Sequence, residues 1–146
     1  MACPYFSPEE RCAAELWPHR ARLPLGDGAC GTCSAPGHEG ERPTEDQLAS
    51  HCNLGYARAC PRRPAAPIAD AVRFAVKKDS ADTLLVSYVL EREHLPLSFG
   101  EVTFSCATAE ATDEGRASLD DGIKRLAKFY VRSYLHRFPR QLAAAH

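Results

Sequence analysis

No run in this chain approaches the ~18 consecutive apolar residues that a membrane-crossing helix requires, which excludes an integral helical membrane protein. Charge of one sign is missing too. The 18 basic and 19 acidic residues nearly cancel, so no global field draws the chain to nucleic acid or anionic lipid. Lysine is scarce at 4 against 14 arginines, a bias read as base composition rather than function. Met1 to Phe6 shows neither a basic stretch nor an apolar segment, which argues against a signal peptide and against a lipidated Cys3. There is no phosphate-binding loop, dinucleotide fingerprint, GxSxG or HExxH, so the common nucleotide-binding and hydrolytic signatures do not apply. No internal repeat is present.

What is plentiful is cysteine, with 7 in 146 residues. An odd number suits a closed disulfide framework poorly, and in a reducing compartment many thiols indicate metal binding or catalysis. The expected localisation is therefore cytoplasmic, with the thiols reduced.

The chain divides by composition near residue 67. Residues 1–67 hold 9 of the 11 prolines, 6 of the 9 glycines and 6 of the 7 cysteines. Residues 68–146 hold most of the Val, Ile, Phe and Tyr. Pro61-Arg62-Arg63-Pro64-Ala65-Ala66-Pro67 forms the joint, because its prolines exclude a helix. The expected organisation is a cysteine-rich metal or cluster-binding segment over 1–67 and a β-β-β-α segment over 68–146, packed together as one domain.

In the first half, Ser7-Pro8-Glu9-Glu10 reads as a capping box and predicts a helix from Pro8 to about Leu16, burying Ala13, Leu16 and Trp17. Thr44-Glu45-Asp46-Gln47 is a second capping box. It predicts a helix through Leu48 to about Asn53, stopped by Gly55. Ser34 to Pro43 reads as an exposed loop, and Asp27 between two glycines as a turn residue.

In the second half, Val72, Phe74 and Val76 alternate with polar or small residues, which predicts a half-buried strand. A turn over Lys78–Asp82 leads to a second strand, Leu84 to Glu91, with Leu84, Val86, Tyr88 and Leu90 on one face. A third, Phe99 to Cys106, turns Val102, Phe104 and Cys106 inward. Ser118-Leu119-Asp120-Asp121 then caps a helix to about Phe138. Its apolar stripe of Leu119, Ile123, Leu126, Ala127, Tyr130, Tyr134 and Phe138 would cover the sheet. The predicted fold class is α+β: a loop-rich, cysteine-ligated half packed on a three-stranded antiparallel sheet under a long C-terminal helix.

The first half, poor in Val, Ile and Phe, needs a staple other than hydrophobic burial, and metal binding energy supplies one. Cys52 and Cys60 would stand ~12 Å apart on an unbroken helix, so the break at Gly55 is needed to bring Cys60 back. Cys3 and Cys60 each precede a proline, which stiffens a ligand loop. The preferred ligand set is Cys3, Cys33, Cys52 and Cys60, with Cys30 as an alternative through its CxxC spacing to Cys33. Cys12 and Cys106 read as buried core thiols.

The run Cys52-Asn53-Leu54-Gly55-Tyr56-Ala57-Arg58, preceded by Cys3-Pro4-Tyr5-Phe6 and followed by Asp70-Ala71-Val72-Arg73-Phe74, resembles a group of small uncharacterised bacterial cysteine-rich proteins. The resemblance covers most of the chain. It implies a four-cysteine site at Cys3, Cys33, Cys52 and Cys60, with Cys30 as an extra, and it implies no activity.

Zinc sites show two short-spaced cysteine pairs, whereas only Cys30 and Cys33 are close here. Dispersed single cysteines with Cys-Pro flanks suit a [4Fe–4S] cluster better. Tyr5, Phe6, Leu54 and Tyr56 are candidates for its apolar shell, and Arg58, Arg62 and Arg63 for balancing the thiolates. The expected function is electron transfer or redox sensing with an unknown redox or protein partner. The alternative is a structural-zinc protein that presents a surface to a protein or nucleic acid. An enzyme using a low-pKa Cys30 would need a histidine partner that the sequence does not place. His51, His38, the Glu91-Arg92-Glu93-His94 group and the basic residues of the last helix read as surface features.

Overall fold

The fold is known from a computed structural model, which describes residues 2–12, 24–26, 28–112 and 120–140. It is α+β with a three-stranded antiparallel sheet and one long helix, as the sequence predicts, and it adds a two-stranded sheet that the sequence does not predict. Strands β1 (Phe6–Arg11) and β2 (Ala29–Cys33) form a hairpin. A short helix α1 (Glu45–Gln47) runs into a π-helical turn, Leu48–Cys52. Strands β3 (Ala71–Asp79), β4 (Thr83–Arg92) and β5 (Leu95–Ser105) form a sheet in that order. Helix α2 (Asp121–Arg137) follows.

The β1 strand corrects the predicted Pro8–Leu16 helix. Ser7-Pro8-Glu9-Glu10 is extended and pairs with β2, with a register shift between Pro8 and Glu10. A capping box is worth little unless the following turns bury an apolar face. Here Phe6 is buried in the core at the strand's start, and Pro8 tolerates an irregular edge position. Gly31 makes the pairing possible, because a Cβ there would collide with the Ser7 carbonyl and Pro8 Cα of β1. Ala13, Leu16, Trp17 and Asp27 lie outside the described residues.

The second capping box is present. The Thr44 side chain accepts from Gln47 N–H, and the Gln47 side chain accepts from Thr44 N–H. The π-turn then gives Asn53 N–H→Leu48 O at 3.2 Å, and Gly55, at φ 73°, ends the segment.

The three-stranded sheet matches the predicted faces. Val72, Phe74, Leu84, Val86, Val102 and Phe104 are buried, and Val76, Tyr88, Leu90 and Cys106 pack against them. Strand β5 begins four residues earlier than the predicted Phe99, because Glu93 and His94 form a two-residue turn with φ of 53° and 64°. Such turns ordinarily announce themselves by Asn-Gly or Asp-Gly. This one is held from outside, by a bond from Glu93 N–H to Asp70 Oδ2 (2.8 Å) and one from His94 N–H to Tyr56 Oη (3.0 Å). His94 also stacks on the Tyr56 ring at 4.3 Å.

Helix α2 is capped by Asp120, whose side chain accepts from Gly122 N–H. The predicted cap Ser118 and the stripe residue Leu119 lie outside the described residues. Ile123, Leu126 and Ala127 are buried as expected, but so are Phe129, Val131 and Ser133, while Phe138 is exposed. The helix touches both β1 and β3, and a helix flanked by two partners buries more than one stripe.

One core joins the two halves. Ala2, Phe6, Leu25, Ala29, Leu48 and Cys52 share it with the sheet and with Ile123, Leu126 and Val131. Ala2 pairs with Val72 through two backbone hydrogen bonds of 2.8 Å.

Candidate metal centre

Four separate backbone devices deliver four thiols to one place. Cys3 sits between the sheet and the π-turn: Ala2 is paired to β3, and Cys3 N–H donates to Cys52 O at 3.0 Å. The chain then turns over Pro4, and Phe6 N–H bonds back to Cys3 O. Cys33 ends β2, where Ala35 N–H donates to its sulfur at 3.4 Å and the loop returns through Cys33 N–H→Glu41 O. Cys52 ends the π-turn and is buried. Cys60 lies in two consecutive turns, Cys60 N–H→Ala57 O and Arg63 N–H→Cys60 O.

The structure thus brings together the residues of the preferred set. Cys3, Cys33 and Cys60 line one cavity with Pro4, Tyr5 and Arg62, and the Cys52 thiol interacts electrostatically with the other three. Burial pushes the Cys52 thiol up to about 12, helped by Cys3, Cys60 and Cys33. Cys3 is pushed up to about 11, again chiefly by burial and partly offset by the amides of Tyr5 and Phe6. Burial also raises Cys33. These thiols hold their protons at neutral pH unless a cation takes their place. Among the described residues, no three His, Cys, Asp or Glu side chains are grouped closely enough to hold one metal ion.

Cys30 is not an alternative ligand and Cys12 is not a core thiol: the two form a disulfide, with Cα atoms 5.3 Å apart. The expectation that all thiols are reduced fails for this pair. The apolar-face reading of Cys12 depended on a helix starting at Pro8, whereas residues 8–11 belong to strand β1. Cys106 is a free, half-buried thiol packed against the core.

The expected apolar shell is only partly correct. Tyr5 lines the cavity, anchored by Ile68 N–H→Tyr5 Oη at 2.8 Å. Phe6 faces the core, Leu54 is exposed and Tyr56 belongs to the β4–β5 turn. Pro4, Ala35, Ala57 and Ala69 line the wall instead, residues too small to stand out in a sequence. Of the three arginines, Arg62 is held by Glu41 (3.1 Å) and Gln47 (2.7 Å), and its charge favours the thiolates of Cys33 and Cys52. Arg63 also lines the cavity but is paired to Asp70, and Arg58 adds its charge there.

The remaining polar groups have structural work. Glu91 is buried, accepts from Tyr56 Oη at 2.8 Å and pairs with Arg73 at 2.9 Å. His38 bonds Glu41 in an exposed loop. Sequence reading missed Asn53, which is fully buried. Its side chain accepts from Ala29 N–H (2.9 Å) and donates to Ala29 O (3.0 Å) and Leu48 O (2.9 Å). It acts as a surrogate strand for β2 beside Cys52.

Among the described residues, no helix is long and apolar enough to cross a membrane. Comparison with protein-family models, curated proteins and solved structures finds no match to this chain.

Proposed function

We propose that Cys3, Cys33, Cys52 and Cys60 hold a [4Fe–4S] cluster and that the chain serves in electron transfer or redox sensing in the cytoplasm. The observation that carries this reading is the convergence of four cysteines that lie far apart along the chain. Cys3, Cys33 and Cys60 line one cavity, and the Cys52 thiol interacts electrostatically with all three. Tetrahedral zinc, at ~2.3 Å per Zn–S bond, needs its four sulfurs within about 4 Å of one another. A four-iron cluster instead takes one cysteine at each iron, which suits single cysteines dispersed along the chain. When bound, the cluster supplies a one-electron couple and needs no substrate pocket. The chain supplies buried thiols, a wall of small apolar residues and the Arg62 charge.

Anaerobic purification with metal analysis tests this. The expected result is a brown protein with about four irons per chain, lost in Cys52→Ser and Cys60→Ser and kept in Cys106→Ala. A colourless protein with one zinc would overturn it and leave a structural-zinc binding module.

A further inference from the structure

We infer that Cys12–Cys30 is a reducible disulfide whose state controls how firmly the four-thiol site is held, which makes it a second redox site acting on the first. The inference rests on the proposed function only for what the four thiols bind. The disulfide closes one end of the β1–β2 hairpin: Cys12 follows β1, and Cys12 N–H donates to Gly28 O at 2.8 Å, extending the pairing past Arg11↔Ala29. The other end of the hairpin carries the metal-site thiols. Phe6 pairs with Cys33, and Phe6 N–H bonds Cys3 O. Cys30 and Cys33 are three residues apart on one strand, about 10 Å at the rise of an extended chain.

A second route is shorter. Ala29, next to Cys30, is clamped on both its N–H and its C=O by the Asn53 side chain, and Asn53 follows Cys52. A shift of β2 at Cys30 therefore breaks the contacts that seat Cys52. The disulfide fixes that register, and β1 pairs irregularly just there, between Pro8 and Glu10.

Cys12 and Cys30 are only partly buried, and among the described residues Cys12 lines a cleft with Glu9, Glu10, Arg11, Arg132 and His136. The reductant is a dithiol, which reacts as its thiolate. That thiolate attacks Cys12 Sγ and forms a mixed disulfide. The Cys12–Cys30 bond breaks, and its electron pair leaves on Cys30 Sγ, which takes a proton. The reductant's second thiol then closes its own disulfide and releases Cys12 as a thiol. Two electrons and two protons pass from the dithiol to the protein.

The test uses the full metal-free chain, untreated or reduced with dithiothreitol, and pulse-labels each cysteine with N-ethylmaleimide for mass spectrometry. The expected result is a linked Cys12–Cys30 peptide in the untreated chain. After reduction, labelling at Cys33 and Cys52 should rise about fivefold, with Cys106 unchanged. The Cys12→Ser/Cys30→Ser double variant should label like the reduced chain. Absence of the linked peptide, or equal labelling of Cys33 and Cys52 in both states, overturns the inference. A chain whose labelling responds but which takes up no iron upholds the inference and defeats the cluster reading alone.

Discussion

Asn53 and the thiols of Cys3, Cys33, Cys52 and Cys60 show how single side chains set the site. Asn53 replaces a missing strand neighbour for Ala29, so Asn53→Ala strands the buried N–H and C=O of Ala29 and leaves Leu48 O with only the residue-53 backbone N–H. Unsatisfied buried groups are costly, and the variant should lose about 3 kcal/mol in urea denaturation, whereas the solvent-facing Leu54→Ala should lose little. The thiols give a pH dependence of definite sign. A thiol is neutral when protonated, and burial lifts Cys3 and Cys52 from 9.0 to about 11 and about 12. Between those values the folded metal-free chain binds more protons than the unfolded one, so its stability is full below pH 9 and falls as pH rises toward 12. Tyr56, Tyr130 and Tyr134 are also raised and add the same sign. The informative quantity is therefore the difference from Cys52→Ala, which should fall less steeply between about pH 9 and 11 in denaturant midpoints. Equal slopes would refute the buried-thiol contribution. Asn53 was legible only as the second letter of the Cys52-Asn53 run, because a polar side chain is marked for the interior by its partners and not by its type.

At the scale of elements, local signals predicted the pieces that fold on local terms. The Thr44 box, the Gly55 stop and the alternation of β3, β4 and β5 all appear. They failed where a distant partner outweighed them. The Ser7 box lost to pairing with β2, and the Glu93-His94 turn is stabilised by Asp70 and Tyr56, far away in sequence. Two expectations follow. Gly31→Ala should open the hairpin, since its Cβ has no room against the β1 backbone, with a stability loss above about 2 kcal/mol. A thermal midpoint unchanged from the parent would show that β1 yields easily. Glu93→Asn should instead stabilise by about 0.5 kcal/mol, because Asn tolerates a left-handed φ and the bond from residue 93 N–H to Asp70 is kept. Thermal denaturation reads this, and a loss would mean that the Glu93 side chain itself holds the turn.

For the whole molecule, the decisive feature is that the first half has no separate core. Phe6, Ala29, Leu48 and Cys52 are buried against the same residues that cover the sheet, and the hairpin is stapled by its disulfide. Removal of a metal centre should therefore not unfold residues 1–67 as a block. Hydrogen exchange on metal-free protein should show early loss over 56–63, which is held by turns, with protection kept over 29–33, 71–105 and 121–137. Equal exchange over 29–33 and 56–63 would mean that metal binding alone orders the first half.

Composition and periodicity by themselves determined the α+β class, the sheet faces and the helix of the second half. Those features depend on spacing along the chain, which sequence records directly. The tertiary structure alone decided that β1 is a strand, that Cys12 and Cys30 are bonded, that α2 serves two partners and that the cavity wall is made of Pro4, Ala35, Ala57 and Ala69. Each of these depends on which distant segment comes to lie alongside. Contacts of that kind override local propensities worth a fraction of a kcal/mol per residue.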